Sequence, residues 1–108
     1  MNRCMEVVIF KIKKGAKSNF LRVHSILKQE IINSSPGYVS QSMLCSLDSP
    51  DTYIDLWIWQ NEATARLAFK KFEGLESSGL FMEMIGSHVY SGHFGDIDEL
   101  DSNRPMSV

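Results

Sequence analysis

The chain has 108 residues, of which 44% are apolar and 22% charged, and its formal net charge is −2. This length allows one hydrophobic core, and the composition is that of an ordinary globular domain. The slightly acidic balance argues against nucleic acid or an anionic membrane as a partner, because both usually require a basic surface. Cys4 and Cys45 have no metal-type spacing, so we expect reduced thiols. The first apolar run, residues 5–10, is interrupted by Glu6 and is too short for a signal peptide or a membrane span, so we expect a cytoplasmic location.

The first third of the chain predicts a strand followed by a helix. In residues 5–12 both alternate sets of side chains are largely apolar, which is typical of a strand covered on both faces. Ser18 can cap the following helix, and its apolar residues fall on one stripe: Phe20, Val23, Leu27 and Ile31. Residues 33–37, which include a Pro-Gly pair, end this helix.

Two further strands follow, joined by a turn at residues 48–51 with Asp, Ser and Pro. Residues 38–47 form the first of these strands and residues 53–59 the second. The second alternates clearly, with Ile54, Leu56 and Ile58 on one face and a polar and aromatic set on the other: Tyr53, Asp55, Trp57 and Trp59. We therefore expect an antiparallel pair of strands.

The last third predicts a helix, a short helix and a strand. Asn61 can cap a helix with a stripe of Ala65, Ala68, Phe69 and Phe72. A shorter helix follows, with an inward set of Leu80, Phe81, Met84 and Ile85 before Gly86, and the fourth strand covers residues 88–97. The domain thus spans residues 1–97, and residues 98–108 form a polar tail that is frayed or laid on a partner.

The order β-α-β-β-α-β predicts an α+β, ferredoxin-like fold, with a four-stranded antiparallel sheet and both helices on one face. The strands nevertheless have large apolar side chains on both faces, and three aromatic residues of strand three represent roughly 10 kcal/mol of burial. Leaving such a surface wet would favour aggregation. We therefore expect a homodimer through the sheet face of Tyr53, Asp55 and Trp57.

Several short segments resemble one family, the dimeric α+β barrels of the antibiotic biosynthesis monooxygenase type. The resemblance covers residues 5–97 and rests on these segments: residues 10–15, 36–38, 59–63, 77–81 and 93–94. It implies a homodimer in which each subunit encloses a pocket between sheet and helices. Members of the family include cofactor-independent oxygenases of polycyclic aromatics and haem-degrading enzymes.

The haem-degrading branch of this family places an iron-binding histidine at the end of the helix after the Ser-x-x-Phe segment. Here Ile85 stands at that place, and strand one also lacks the asparagine of that branch. His88 and His93 lie an odd number of residues apart on strand four, so we expect them on opposite faces, unable to share a metal. We therefore expect no haem, no metal and no other cofactor.

The candidate catalytic residues are His24, His93 and Asp55. His24 lies on the apolar stripe of helix one, where it is either a satisfied edge-of-core histidine or a pocket base. A buried histidine is costly unless it is hydrogen-bonded, so we expect a partner such as a serine, a carboxylate or a bound ligand. Asp55 is either an interface or cleft carboxylate paired with Lys11 or a serine, or a carboxylate with a raised pKa. The candidate pocket walls are aromatic, although each could equally be a packing residue: Trp57, Trp59, Phe81, Phe20 and Phe72.

Two functions from different classes remain open. The first is a cofactor-independent monooxygenase, or a related isomerase, acting on a small, hydrophobic, planar substrate. The second is a non-catalytic dimer that binds or senses a small apolar ligand. An enclosed pocket with an ionisable group of perturbed pKa favours the enzyme, whereas a solidly packed interior favours the second function or no ligand.

Overall fold

A computed structural model describes residues 2–98 of the chain. The elements follow the predicted order, including the short helix before the last strand, and a 3₁₀ turn is added after the second helix: β1 Cys4–Ile12, α1 Lys17–Ser34, β2 Tyr38–Cys45, β3 Thr52–Trp59, α2 Glu62–Lys71, the 3₁₀ turn Phe72–Gly74, α3 Ser78–Glu83 and β4 Ile85–Gly95. Residues 99–108, which make up nearly all of the predicted polar tail, lie outside the described residues.

The four strands form one antiparallel sheet in the order β2-β3-β1-β4. This arrangement confirms the predicted α+β, ferredoxin-like fold. β1 and β3 are the central strands, and their register pairs Val7 with Leu56 and Phe10 with Tyr53. Because paired residues share a face of the sheet, this register determines which side chains meet the helices.

The helices cover the sheet face with the larger aromatic residues. Along β3 the burial alternates, and its most buried side chains are those of Tyr53, Asp55, Trp57 and Trp59. They pack beneath buried residues of α1 and α2, among them Phe20, Leu27 and Ala65. No helix of residues 2–98 is both long enough and apolar enough to cross a membrane.

The dimer surface expected from the sequence was therefore placed on the wrong face. Tyr53, Asp55 and Trp57 lie under the helices and are at most 8% exposed, so they cannot meet a second subunit. Alternation defines two faces of a strand but does not state which of them the helices cover. The larger side chains lie under the helices, where they have more apolar area to bury. The opposite face, called the open face below, contains the apolar residues at the intervening positions of the strands, such as Leu56 and Val7.

A bulge in β4 corrects the prediction that His88 and His93 point to opposite faces. His93 pairs with Glu6 and His88 pairs with Phe10, and residues four apart on β1 share one face. Between these pairs the register shifts by one residue, which leaves Val89 without a Cα partner on β1. An extra residue in a strand reverses the alternation beyond it, so both histidines lie on the helix side.

Some predicted boundaries also move. α1 begins at Lys17 after Ala16, with no side-chain hydrogen bond capping its first turn, so Ser18 is not its cap. Ile85, which was expected to lie inward on the short helix, instead begins β4 and pairs with Ile12. The predicted cap of α2 is confirmed, because Asn61 Oδ1 accepts a hydrogen bond from Thr64 N at 2.9 Å.

Candidate functional site: a cavity between the sheet and the helices

A cavity of about 280 Å³ lies between the sheet and the three helices. This volume is close to the lower end of the range of small-molecule pockets, about 300–1,000 Å³. Its lining is mostly apolar and aromatic, with a few ionisable groups from the strands: Glu6, Asp55 and His88. A cavity of this kind can hold a small ring system and still offer it polar contacts.

Four of the five predicted aromatic wall residues line this cavity. Trp57 and Trp59 are stacked, with ring centroids 5.8 Å apart and an interplanar angle of 15°. Phe72 and Phe81 meet edge to face on the helix side, at 6.2 Å. Phe20 is fully buried behind Phe81, with ring centroids 5.6 Å apart, and it supports the wall without lining the cavity.

The structure brings together two of the predicted catalytic residues. His24 Nε2 lies 3.0 Å from Asp55 Oδ2, and both side chains are buried. The other carboxyl oxygen, Oδ1, accepts a hydrogen bond from Gln41 Nε2 at 2.8 Å. Asp55 lines the cavity, whereas His24 supports it from α1. Because both oxygens have a partner, the carboxyl group has a fixed orientation.

Glu6 is a cavity residue that was not among the candidates predicted from the sequence. It lies on β1, it is 9% exposed, and its Oε1 accepts a hydrogen bond from Trp59 Nε1 at 3.2 Å. Burial raises the pKa of Glu6 to about 7, an effect opposed by the Trp59 hydrogen bond and increased by nearby Asp55. The available signal was its position: Glu6 interrupts an apolar strand on the same alternate set as the inward-facing Phe10.

The third predicted catalytic residue, His93, lies outside this cavity. It lines an adjacent, more open space of about 550 Å³ between α2 and β4, called the cleft below. His93 Nε2 is buried and has no hydrogen-bond partner among residues 2–98. Burial and nearby Arg66 lower the pKa of His93, an effect opposed by Glu62, and the lowered pKa favours the neutral imidazole. His88, which was not among the predicted catalytic residues, lines the cavity itself.

Within residues 2–98, the structure places no three His, Cys, Asp or Glu side chains where together they could hold a metal ion. The ionisable groups of the site instead have other partners: Asp55 is bonded to His24 and to the amide of Gln41, and Glu6 accepts from the indole of Trp59. Such groups can bind and orient a ligand, and a carboxyl group with a pKa near 7 can accept a proton from it.

Comparison with known proteins shows the fold at low sequence identity. No protein-family model matches the sequence, and no curated protein matches it. Among solved structures, a single-residue variant of SnoaB, a cofactor-independent oxygenase from Streptomyces nogalater, is 20% identical. It has a TM-score of 0.74, over 90% of this chain and 95% of that chain.

Two further solved structures agree with this result. A protein of Bordetella bronchiseptica, provisionally assigned as an antibiotic biosynthesis monooxygenase, gives a TM-score of 0.76 at 13% identity, over 90% of this chain and 99% of that chain. MupZ from Pseudomonas fluorescens gives a TM-score of 0.73 at 15% identity, over 96% of this chain and 80% of that chain. The fold is therefore that of the antibiotic biosynthesis monooxygenase type, which confirms the family resemblance at the level of the fold.

Proposed function

We propose that this protein binds a small, planar, mostly apolar substrate in the cavity and oxygenates it without a cofactor. The observation that carries the proposal is an ionisable carboxyl group, Glu6, buried in an aromatic cavity and given a pKa of about 7 by that burial. An enclosed cavity with such a group favours an enzyme over a passive binding protein. The similarity in fold to a cofactor-independent oxygenase supports the same class.

The chemistry requires a base, because without a cofactor the substrate itself must reduce oxygen. Removal of a proton from a CH₂ group conjugated with a carbonyl, either directly or through an aromatic ring, gives a carbanion, which can donate electrons to O₂ and form a carbon–oxygen bond. The resulting peroxide anion takes up a proton, and the hydroperoxide so formed eliminates water and leaves a new carbonyl group. The CH₂ group and O₂ thus become C=O and H₂O, with one oxygen atom in each product.

Glu6 is the residue best placed to act as this base. A base is most effective when its pKa lies close to the working pH, and Glu6 meets that condition inside the cavity. His24, one of the two histidines expected in this role, has its Nε2 bonded to Asp55. The other, His93, lines the adjacent cleft.

The remaining cavity residues bind and orient the substrate. Stacked Trp57 and Trp59 offer a flat wall to a ring system, and aromatic pairs of this kind contribute about 0.5–1.5 kcal/mol beyond simple burial. Asp55, held by His24 and Gln41, offers an oriented carboxyl group to a hydroxyl or protonated oxygen of the substrate.

We also propose that the protein acts as a homodimer through the open face of the sheet. That face has a row of apolar side chains which the described part of the chain leaves uncovered by helices: Met5, Val7, Ile9, Ile54, Leu56, Ile58, Tyr90 and Phe94. Apolar side chains grouped on an uncovered sheet face are typical of an interface. A second copy of the sheet has the complementary shape and the same chemistry.

Anthrone tests the oxygenase, because it is planar and has an acidic CH₂ group beside its rings. In air, the wild-type protein should accelerate the conversion of anthrone to anthraquinone above the protein-free rate, with one O₂ consumed per molecule. Glu6→Gln should lower this acceleration by a factor of about 100 or more, the usual contribution of a positioned base. Glu83→Gln, an exposed change of the same kind on α3, should not alter it.

Two other results of the anthrone experiment would favour a different function. Exchange of the CH₂ protons with deuterated water, without oxygen uptake, would favour an isomerase. Stoichiometric binding of anthrone without exchange or oxidation would contradict the enzyme and favour the non-catalytic ligand-binding protein.

A further inference from the structure

We propose that the cleft between α2 and β4 is a subsite for a carboxylate group on the ligand, so that the substrate is a planar aromatic acid. This inference rests on the proposed function, because the aromatic part of the ligand is assigned to the cavity. The cleft has a volume of about 550 Å³ and its lining includes two basic side chains and one histidine: Arg66, Lys70 and His93.

The two basic residues give the cleft a positive rim. Arg66 and Lys70 lie four residues apart on α2, so they project from the same side of the helix. The Nε of Arg66 donates to Glu62 at 2.6 Å, and this exposed pair uses only one of the three guanidinium nitrogens. A guanidinium and an ammonium group side by side attract a carboxylate, and the guanidinium can bind it in a two-pronged geometry.

His93 adds a polar group that the protein itself leaves without a partner. Its Nε2 is buried and accepts or donates no hydrogen bond within residues 2–98, whereas buried polar atoms are nearly always paired. The imidazole packs edge to face on Phe69, with ring centroids 5.8 Å apart, which fixes its place in the cleft. A ligand oxygen would supply the missing hydrogen bond.

The cleft and the cavity share part of their lining, so one ligand can occupy both. Glu6, Phe69 and Ser91 line the two spaces. The carboxyl group of Glu6 also faces the cleft, but burial raises its pKa to about 7, so it is half neutral at that pH and opposes an incoming anion only in part. A molecule with its rings against the tryptophans and its carboxylate at the basic rim fits both environments.

The test compares 2-naphthoate with 2-naphthamide, which has nearly the same shape but no charge, by isothermal titration calorimetry. The wild-type protein should bind the acid more tightly than the amide. Lys70→Gln and Arg66→Gln should each weaken binding of the acid by about two- to five-fold, as expected for partly exposed charge pairs, and leave binding of the amide unchanged. Both residues are exposed, so the variants should fold.

Lys71→Gln is the matched control. It removes the same charge from the neighbouring position, but Lys71 Nζ donates to Ser34 O and is absent from the cleft lining, so it should not alter either affinity. Equal binding of acid and amide, or equal losses with all three variants, would overturn the subsite while the cavity and its proposed chemistry stand. Failure of both probes to bind would overturn the subsite together with the proposed function.

Discussion

At the scale of single residues, the raised pKa that suits Glu6 to act as a base also makes the free energy of unfolding depend on pH. Burial raises its pKa from 4.5 to about 7. Below pH 4.5 the group is protonated in both the folded and the unfolded chain, so burial has no ionisation cost there. As the pH rises towards 7 the unfolded chain ionises first, and the free energy of unfolding falls. A shift of this size corresponds to about 3 kcal/mol once the pH exceeds 7.

Glu6→Gln should remove this pH dependence. The glutamine still offers an oxygen to Trp59 Nε1 but has no proton to lose. Urea unfolding should find the variant more stable than wild type by up to about 3 kcal/mol at pH 8, with the difference shrinking to near zero at pH 4. The exposed change Glu83→Gln serves as the control. Parallel pH profiles for wild type and Glu6→Gln would show that burial does not shift this carboxyl group.

The residues of the site could be predicted only in part from the sequence. A buried histidine on the stripe of α1 predicted a hydrogen-bonded partner, and Asp55 is that partner. The identity of the partner could not be predicted, because it depends on how α1 crosses β3. A single charged residue at the start of a strand is more often exposed than buried, so the position of Glu6 alone did not indicate a cavity residue.

At the scale of elements, the turn between α1 and β2 depends on Gly37. Its φ is +90°, and a Cβ built there would lie 2.6 Å from the Thr64 side chain in the first turn of α2. Gly15 has a similar φ of +80° but nothing within 4 Å of such a Cβ. The two glycines therefore separate the cost of backbone conformation from the cost of close packing.

Gly15→Ala should destabilise the protein by about 1 kcal/mol, the cost of a left-handed backbone alone. Gly37→Ala should cost clearly more, by a further 1–3 kcal/mol, because Thr64 and the start of α2 must also move. Thermal unfolding of both variants measures the difference. Equal losses would mean that the packing of α2 on this turn adjusts freely.

The pairing of secondary-structure elements also explains why the start of β4 and the orientation of its two histidines were predicted wrongly. Hydrophobic alternation predicted that a strand was present, and β4 is confirmed, but its start moved from residue 88 to Ile85. Val89 lies at a bulge, and a bulge has no reliable pattern in a single sequence because it arises from pairing with the neighbouring strand. The relative orientation of His88 and His93 therefore required the register with β1.

At the scale of the whole molecule, the sequence predicted the order of elements and a surplus of apolar surface, but not which face of the sheet has that surplus. Both sets of β3 side chains are apolar enough to be buried. Tyr53 and Trp57 lie beneath the helices, while Leu56 lies on the open face at the centre of the sheet. Which face the helices cover depends on how the large side chains pack against α1 and α2. A pattern of alternation does not describe this packing.

The open face gives a prediction about assembly. Light scattering at micromolar concentration should find a dimer, with an interface of roughly 2,000 Å² or more, the size usual for permanent homodimers. Leu56→Glu should dissociate it. In a symmetric dimer each substitution acts twice, so the loss of two buried leucines, at about 1.5–3 kcal/mol each, should weaken association by a factor of at least 100.

Leu21→Glu is the matched control for the dimer. Leu21 is 45% exposed on α1, on the side of the molecule that the open face does not include, so the same chemical change should leave the dimer intact. Circular dichroism should report unchanged secondary structure in both variants, because neither position is in the core under the helices. A monomeric wild-type protein, or a Leu56→Glu variant that remains dimeric, would remove the open face from consideration as an interface. The apolar residues of that face would then need a different partner to cover them.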